Sequence, residues 1–351
     1  SMMATPQLLN AGGLDYIVYD YLAEITMSIM ARARASRPEG GFATDFITGV
    51  LKPHLPEIAR QKVKILSNAG GVNPIACGQA ARNAGWDAIE VEVDRDIAAK
   101  LKEINPARAF NALHGQIGED GNIQGLLNIM NIPYTHSSLT ASAIAMDKLL
   151  AKTLLAGAGI MVPPTLALIE DSHVYPEDST GAHVIKPRND GSSFGVVIVP
   201  DDKARPPARN TWPAHTQLIC EPYIPGRELT VSVLDGTALC VTEITSEREF
   251  YDFDAKYAVG GSKHILPADI PEPVSLKACL WAEHAYRQLG CRGIIRADYR
   301  WDDKNDQLFM LEVNTQPGMT ATSLVPEQAR FVGMSGEELV NHLLEIAQCD
   351  D

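Results

Sequence analysis

No run of apolar residues in this 351-residue chain approaches the length that a bilayer-spanning helix needs, about 20 residues. Nor does a basic stretch followed by an apolar core open it, so a membrane-spanning or secreted protein is not expected and a cytoplasmic one is. Ser1-Met2 reads as a cloning remnant. Positive charge is scarce as well: 30 Lys and Arg against 44 Asp and Glu leave a net charge of -14, which argues against non-specific attraction to nucleic acid or to an anionic membrane surface. Cysteine is sparse and unpatterned. Cys77, Cys220, Cys240, Cys279, Cys291 and Cys349 show no short metal-type spacing, which in a cytosolic chain points to free thiols rather than to a disulfide framework or a zinc site. Internal repeats and low-complexity tracts are absent too.

What is present is an ordinary globular composition, 45% hydrophobic and 21% charged. This length suffices for roughly two or three domains. Strand-like and helix-like runs alternate at first: Tyr16 to Tyr19, Leu22 to Ala35, a helix from Phe46 to Arg60 interrupted by Pro53 and Pro56, Val63 to Leu66, a helix through Ala81, then strands at Ala88 to Val93 and Ala109 to Leu113. Such alternation implies a mostly parallel sheet covered by helices. A helical stretch through Met146 to Leu150 and a turn at Pro163-Pro164 follow. The character then changes to short β segments, at 184–186, 196–199, 218–221, 229–234 and 238–245, with a proline-rich surface loop at 200–213. A helix from Val274 to Leu289, strands at 293–300 and 308–313, and a closing helix from Ser335 to Ala347 complete the chain.

The densest chemistry lies in Leu311-Glu312-Val313-Asn314-Thr315-Gln316-Pro317-Gly318-Met319-Thr320, read with Arg296-Ala297-Asp298. Residues two apart on a strand share a face, so Glu312 and Asn314 point the same way and Asp298 on the preceding strand can meet them. Three oxygen ligands of this kind suit Mg²⁺, which takes a carboxylate or two and leaves its other positions to water and substrate phosphate. The bland alternative is a solvated sheet edge. Upstream, Lys186 ends a strand and enters Pro187-Arg188-Asn189-Asp190-Gly191-Ser192-Ser193-Phe194-Gly195, whose small residues let a phosphate approach the backbone. Glu221, Tyr223, Ile224 and Glu228 add an apolar slot and carboxylates of the kind that an adenine nucleotide requires.

Taken in order, these motifs resemble the ATP-grasp ligases, specifically the D-alanine-D-alanine ligase family. The resemblance runs over about residues 79–351 and includes Phe110-Asn111-Ala112-Leu113-His114-Gly115, Gly118-Glu119-Asp120-Gly121, Ile132-Pro133-Tyr134-Thr135, Ala145-Met146-Asp147-Lys148 and Ser323-Leu324-Val325-Pro326. It implies an α/β chain, α+β in its ATP-grasp part: an N-terminal Rossmann-like parallel-sheet domain (1–136), a central ATP-grasp lobe (137–221) and a C-terminal lobe with the metal site (222–351). It also implies ATP as substrate, with two Mg²⁺ ions, or Mn²⁺ in their place. Lys148 and Lys186 match the phosphate grip, Glu221 and Ile224 the adenine contacts and Glu228 the ribose partner. Asp298, Glu312 and Asn314 match the metal ligands. Arg296 and Gly318 match the oxyanion site, Lys256 and Tyr257 the lid loop, and Ser192 the phosphate loop. His114 matches a residue near the first D-alanine, and Ser323 and Leu324 the pocket for the second. The partners are small molecules, with a homodimer left open. A second reading keeps ATP binding without ligase turnover, and a third has other substrates joined.

At the N-terminus the pattern departs from that family, which opens with a Gly-Gly turn and a Ser-x-Glu-x-x-Val-Ser segment whose glutamate holds the first substrate's ammonium. Here Gly70-Gly71 leads into Val72-Asn73-Pro74-Ile75-Ala76-Cys77-Gly78, with no acid. Instead, residues 14–80 resemble a fragment of the acyclic terpene utilisation family, so that the two resemblances meet near Cys77 to Ala81, as in a chimera. Asp20, Glu24 and Asn73 are then the candidates to replace the missing glutamate.

Overall fold

The computed structural model of the protein describes residues 5–14, 16–21, 24–71, 74–85, 91, 93–169, 181–189, 195–200, 211–245, 263–319 and 323–350. The chain forms two compact units, one of Ser1–Ala107 with Gly318–Pro326 and one of Arg108–Pro317 with Glu327–Asp351. Among the described residues no helix is long and apolar enough to cross a membrane. All six cysteines are free thiols.

In the smaller unit, α1 (Thr5–Ala11), β1 (Tyr16–Tyr19), α2 (Glu24–Ser36), α3 (Lys52–Gln61), β2 (Lys64–Ser67), α4 (Pro74–Asn83) and α5 (Ile97–Ile104) follow in order. β1 and β2 pair in parallel, with Tyr16 opposite Lys64 and Tyr19 opposite Ser67. Ile17, Tyr19, Val50, Leu51 and Ile58 form the centre of its core. The helix from Phe46 is not interrupted by its prolines. Proline has no N–H to give to the preceding turn; ahead of the prolines the chain forms a π-helical stretch, Phe46–Leu51, in which Lys52 N–H reaches back five residues to Ile47 O. Pro53 then occupies the tolerated first turn of α3, while Pro56 sits inside a helix whose Ile58 is buried. The strand expected at 88–93 lies largely outside the described residues.

In the larger unit, α6 (Asn122–Ile129), α7 (Leu139–Met146) and α8 (Lys148–Gly157) precede a four-stranded sheet. That sheet comprises β3 (Ala167–Ile169), β4 (His183–Pro187), β5 (Val197–Val199) and β6 (Leu218–Pro222), in the order β3-β6-β4-β5. β7 (Arg227–Leu234), β8 (Thr237–Thr245), β9 (Lys263–Ile265), β10 (Ile294–Asp302) and β11 (Gln307–Asn314) make a second sheet, in the order β11-β10-β7-β8-β9. Every pair in these two sheets is antiparallel. α9 (Glu272–Gln288) packs Ala278, Ala282 and Ala285 with Val231, Val233, Ala297 and Tyr299 into the main core. α10 (Leu324–Phe331), which belongs to this unit from Glu327 on, and α11 (Gly336–Glu345) close the chain, the latter opened by a capping box between Ser335 and Glu338. A parallel N-terminal pair followed by two antiparallel sheets is the mixed α/β class expected. Ala109 to Leu113, however, is not a strand. Only Ala109 bridges to Tyr134, after which side chains take over the backbone donors: Asn111 N–H goes to Thr135 Oγ1 and Leu113 N–H to Asn111 Oδ1.

Beside that segment His136 is 2% exposed, stacked edge-on against Phe110, with a left-handed backbone at φ 73°. Burial, aided by the charge of His114, pushes its pKa down to about 3. The unfolded chain therefore takes up this proton first as pH falls through about 6.5. His136 costs no stability above that value, and the loss grows below it to about 2 kcal/mol near pH 5. His136→Asn, which tolerates the same backbone, should unfold in denaturant with a shallower loss of stability between pH 7 and 5 than the parent. Equal slopes for both proteins would remove His136 as the acid-sensitive group.

Candidate active site

The pairing of β10 with β11 brings four polar side chains onto one face of the second sheet. Arg296 lies opposite Asn314 and Asp298 opposite Glu312, and the members of each strand are two residues apart. A register shift follows, with Tyr299 opposite Met310, so Leu311 is the extra residue of a bulge. Because of it Met310 stays in the core while Glu312 remains on the polar face. β7 extends this face, with Thr230 opposite Asp298 and Glu228 opposite Arg300. The intervening residues Leu229, Val231, Ala297 and Val313 point into the core under α9. Strand alternation thus divides the sheet into an apolar face that anchors it and a polar face left for chemistry.

On that face Asp298 is held firmly. The Arg296 guanidinium forks onto it, Nε donating to Oδ1 at 2.9 Å and Nη2 to Oδ2 at 2.8 Å, and Thr230 Oγ1 donates to Oδ1 at 2.7 Å. Glu312 lies 3.9 Å from the Lys148 ammonium. Asn314 Oδ1 accepts Gln316 N–H at 2.9 Å, which shapes the turn after β11. An amide oxygen has two lone pairs, so that bond is compatible with metal ligation. No cluster of three or more His, Cys, Asp or Glu residues able to hold a metal occurs among the described residues. Two facing carboxylates and an amide oxygen still fit Mg²⁺, because that ion completes its shell with substrate phosphate and water rather than with a protein cage.

Lys148 is positioned by its neighbours. Asp147 ends α7 and caps α8, accepting N–H from Leu149 and Leu150. Its carboxylate is in turn gripped by Arg188 through Nε at 2.9 Å and Nη2 at 2.6 Å. Burial raises the Asp147 pKa, but Arg188 and the backbone donors outweigh it and hold the group below its ordinary value. Lys148 N–H meanwhile donates to Arg188 O at 3.1 Å. Thus the first turn of α8 is tied to the end of β4, which also carries Lys186.

Below that turn lies a charge cluster in which Lys186 and Glu221, both named from the sequence, are joined by Lys152, which the sequence motifs did not mark. Glu221, 2% exposed on β6, accepts Lys186 Nζ at 2.7 Å and also pairs with Lys152, whose Nζ donates to Thr165 Oγ1 at 3.0 Å. Burial pushes the Lys152 ammonium below its ordinary value despite the adjacent Glu221 carboxylate. Lys152 stands one helical turn from Lys148, and that spacing is the signal that finds it. Two ammonium groups around one carboxylate leave the cluster net positive. A positive, largely desolvated cluster one helical turn from Lys148 is suited to attract a polyphosphate anion.

The connection between the two sheets is equally specific. Arg300 donates from Nε to Ile224 O at 3.1 Å and from Nη2 to the Tyr223 hydroxyl at 3.0 Å, and it lies 3.9 Å from Glu228. Gly226 has φ 95°, and a Cβ there would come within 2.1 Å of Trp301 O, so no other residue fits this turn. His114 pairs with Glu119 at 3.1 Å, while Asn111 donates to Gly118 O and to Gln316 Oε1, linking this loop to the turn after β11. Gly318, Ser323 and Leu324 belong to the smaller unit. Ser192, Lys256, Tyr257 and Asn73 lie outside the described residues, as does the side chain of Glu24.

Comparison with known proteins finds relatives over most of the chain. The family model "D-ala D-ala ligase C-terminus" matches residues 161–345, and the acyclic terpene utilisation family model matches residues 1–99. The chain is 48% identical over 281 residues to the D-alanine-D-alanine ligase of Agrobacterium fabrum, covering 78% of this chain and 91% of that one. It is 49% identical over 279 residues to the one from Rhodospirillum rubrum, covering 78% and 92%. Among solved structures it resembles a D-alanine-D-alanine ligase from Bacillus anthracis at TM-score 0.65 and 25% identity, covering 94% of this chain and 95% of that one. The ligase from Coxiella burnetii resembles it at TM-score 0.56 and 26% identity, over 69% and 68%. Identity near one half that is sustained over nine-tenths of such relatives, 91% and 92% of their length, is membership rather than likeness: the chain belongs to the D-alanine-D-alanine ligase family.

Proposed function

We propose that the protein is an ATP-dependent ligase joining two D-alanine molecules through an acyl phosphate, in the cytoplasm, toward peptidoglycan precursors. The observation that carries this reading is the facing of Arg296 and Asp298 with Asn314 and Glu312 in a chain 48% identical to a D-alanine-D-alanine ligase. In the first step a carboxylate oxygen of one D-alanine attacks the γ-phosphorus of ATP, and ADP leaves. Lys148 and Lys186 reduce the repulsion between the two anions, while Glu221, Ile224 and Glu228 hold the nucleoside. Asp298, Glu312 and Asn314 are the residues that would hold Mg²⁺, which supplies charge neutralisation for the phosphates when bound. In the second step the amine of another D-alanine attacks the acyl carbon, a proton leaves the nitrogen, and phosphate departs with the oxygen it received.

Arg296 and the Gly318 N–H are the donors assigned to the oxyanion of that step. His114 is assigned to the first D-alanine, and Ser323 with Leu324 to the carboxylate of the second. Ser192 is placed with the phosphates, and Lys256 with Tyr257 on a loop that excludes water, which would otherwise hydrolyse the acyl phosphate.

Release of ADP across D-alanine, D-serine and D-lactate tests the substrate assignment. Turnover is expected with D-alanine paired with itself, and equal turnover without any of the three would reduce the protein to an ATPase. Lys186→Ala should weaken ATP binding about tenfold to a hundredfold, the scale of one charge-assisted contact to phosphate. Its buried partner Glu221 keeps Lys152, so the fold should survive. Unchanged nucleotide affinity by calorimetry would count against the phosphate grip.

A further inference from the structure

The parallel strands of the smaller unit end side by side, Tyr19 opposite Ser67, and the residues that follow them are joined. Asn68 Nδ2 donates to Asp20 Oδ1 at 2.5 Å, and Tyr21 N–H donates to Asn68 Oδ1 at 2.6 Å. Ala69 N–H on Ser67 Oγ and Gly71 N–H on Asn68 O shape the turn that presents Asn68. An aspartate at a strand end is ordinarily solvated, yet the second oxygen of Asp20 is engaged as well. Oδ2 accepts the N–H of Met319 at 3.1 Å, across 299 residues of sequence. Asp20 and Asn68 fall in the stretch matched by the acyclic terpene utilisation model, residues 1–99, whereas Met319 falls in the ligase match, residues 161–345. The junction between the two resemblances is therefore bridged by a carboxylate that holds a ligase backbone amide.

Met319 follows Gly318 directly. The peptide joining them is planar, so fixing Met319 N–H also fixes the direction of the Gly318 carbonyl. Glycine has the freedom to drift without such an anchor. On the other side, a Cβ at Gly318 would come within 3.0 Å of Ser323 Oγ. Gly318 and Met319 are thus approached from two sides, by Asp20 through the backbone and by the Ser323 side chain.

We propose that Asp20, itself oriented by Asn68, is a positioning residue for the ligase reaction, holding the Gly318-Met319 peptide in place for the second step. This rests on the ligase reading above. Loss of the anchor should therefore slow turnover while leaving nucleotide binding alone. A displaced oxyanion donor costs on the order of tenfold to a thousandfold in rate.

The test compares the full chain with Asp20→Ala, Asp20→Asn and Asn68→Ala. Steady-state ADP release gives kcat and the KM for ATP and for D-alanine, and amide hydrogen exchange follows the peptide containing Met319. Asp20→Ala should accelerate exchange at Met319 and lower kcat roughly tenfold to a hundredfold, with the KM for ATP unchanged. Asp20→Asn, which keeps one acceptor oxygen and the shape of the side chain, should recover part of both losses, and Asn68→Ala should show a smaller loss of the same kind. Unchanged exchange at Met319 overturns the proposal, and so does faster exchange with unchanged kcat. A rise only in the KM for D-alanine also overturns it, making Asp20 a substrate contact instead. If the parent protein makes no dipeptide, the ligase reading fails separately, and exchange at Met319 still decides whether Asp20 anchors the loop. Should Asp20→Ala not fold, Asp20→Asn and Asn68→Ala carry the comparison.

Discussion

Replacing Glu312 with alanine should lower turnover by at least about a hundredfold, because charge stabilisation by a metal is worth several kcal/mol in the transition state. Glu312 has its side chain 29% exposed and, among the described residues, a distant 3.9 Å pairing with Lys148, so the loss should fall on rate and not on fold. Its backbone position is fixed by the register with Asp298 and by the bulge at Leu311, neither of which depends on the carboxylate. ADP release measured over a range of Mg²⁺ concentrations separates the possibilities. A variant with normal rate and normal metal dependence would remove the metal assignment, whereas a variant rescued partly by high Mg²⁺ would support it.

Removing Glu221 should act on stability. The carboxylate is 2% exposed and pairs with two lysines whose side chains are 6% and 9% exposed. Without it, Lys152 and Lys186 are left as neighbouring buried cations, and breaking a buried pair in this way costs about 3–5 kcal/mol. Glu221→Ala should therefore lower the denaturant midpoint strongly with little change in the slope of the transition. Saturating ATP should restore more stability to this variant than to the parent, because polyphosphate compensates the same positive charge. A midpoint within about 1 kcal/mol of the parent would show that the lysines find water or lose their charge, and that the cluster is not electrostatically strained.

The chemistry of the second sheet was legible because strand periodicity alone puts Glu312 and Asn314 on one face. The facing strand adds Asp298 and Arg296 in register. The bulge was not legible, since nothing in Met310-Leu311-Glu312 marks which residue is extra, yet it decides that Glu312 faces away from the core. Lys152 was missed because a lysine in a helix is usually solvated. Only the fold reveals that the turn carrying Lys148 faces β6 and that Glu221 is buried beneath it. Pro53 and Pro56 suggested a break, but Pro53 falls in the first turn of α3, where its N–H would have no helical partner anyway, and the helix continues through Pro56. The segment at Ala109 to Leu113 was apolar enough for a strand. Its hydrogen bonds go instead to the side chains of Asn111 and Thr135, and such competition depends on residues distant in sequence. Asp20 could be named as a replacement acid but not placed, because its partner Met319 lies 299 residues away.

In the proposed reaction the protein activates a carboxylate of D-alanine as an acyl phosphate and then transfers the acyl group to a second amine. Supplying D-alanine labelled with ¹⁸O in its carboxylate, together with ATP and Mg²⁺, and weighing the inorganic phosphate and dipeptide by mass spectrometry tests it most directly. The account predicts one ¹⁸O atom in each phosphate released and one dipeptide for each ADP. Phosphate that carries no label, formed without dipeptide, would mean that water attacks ATP and would contradict the account.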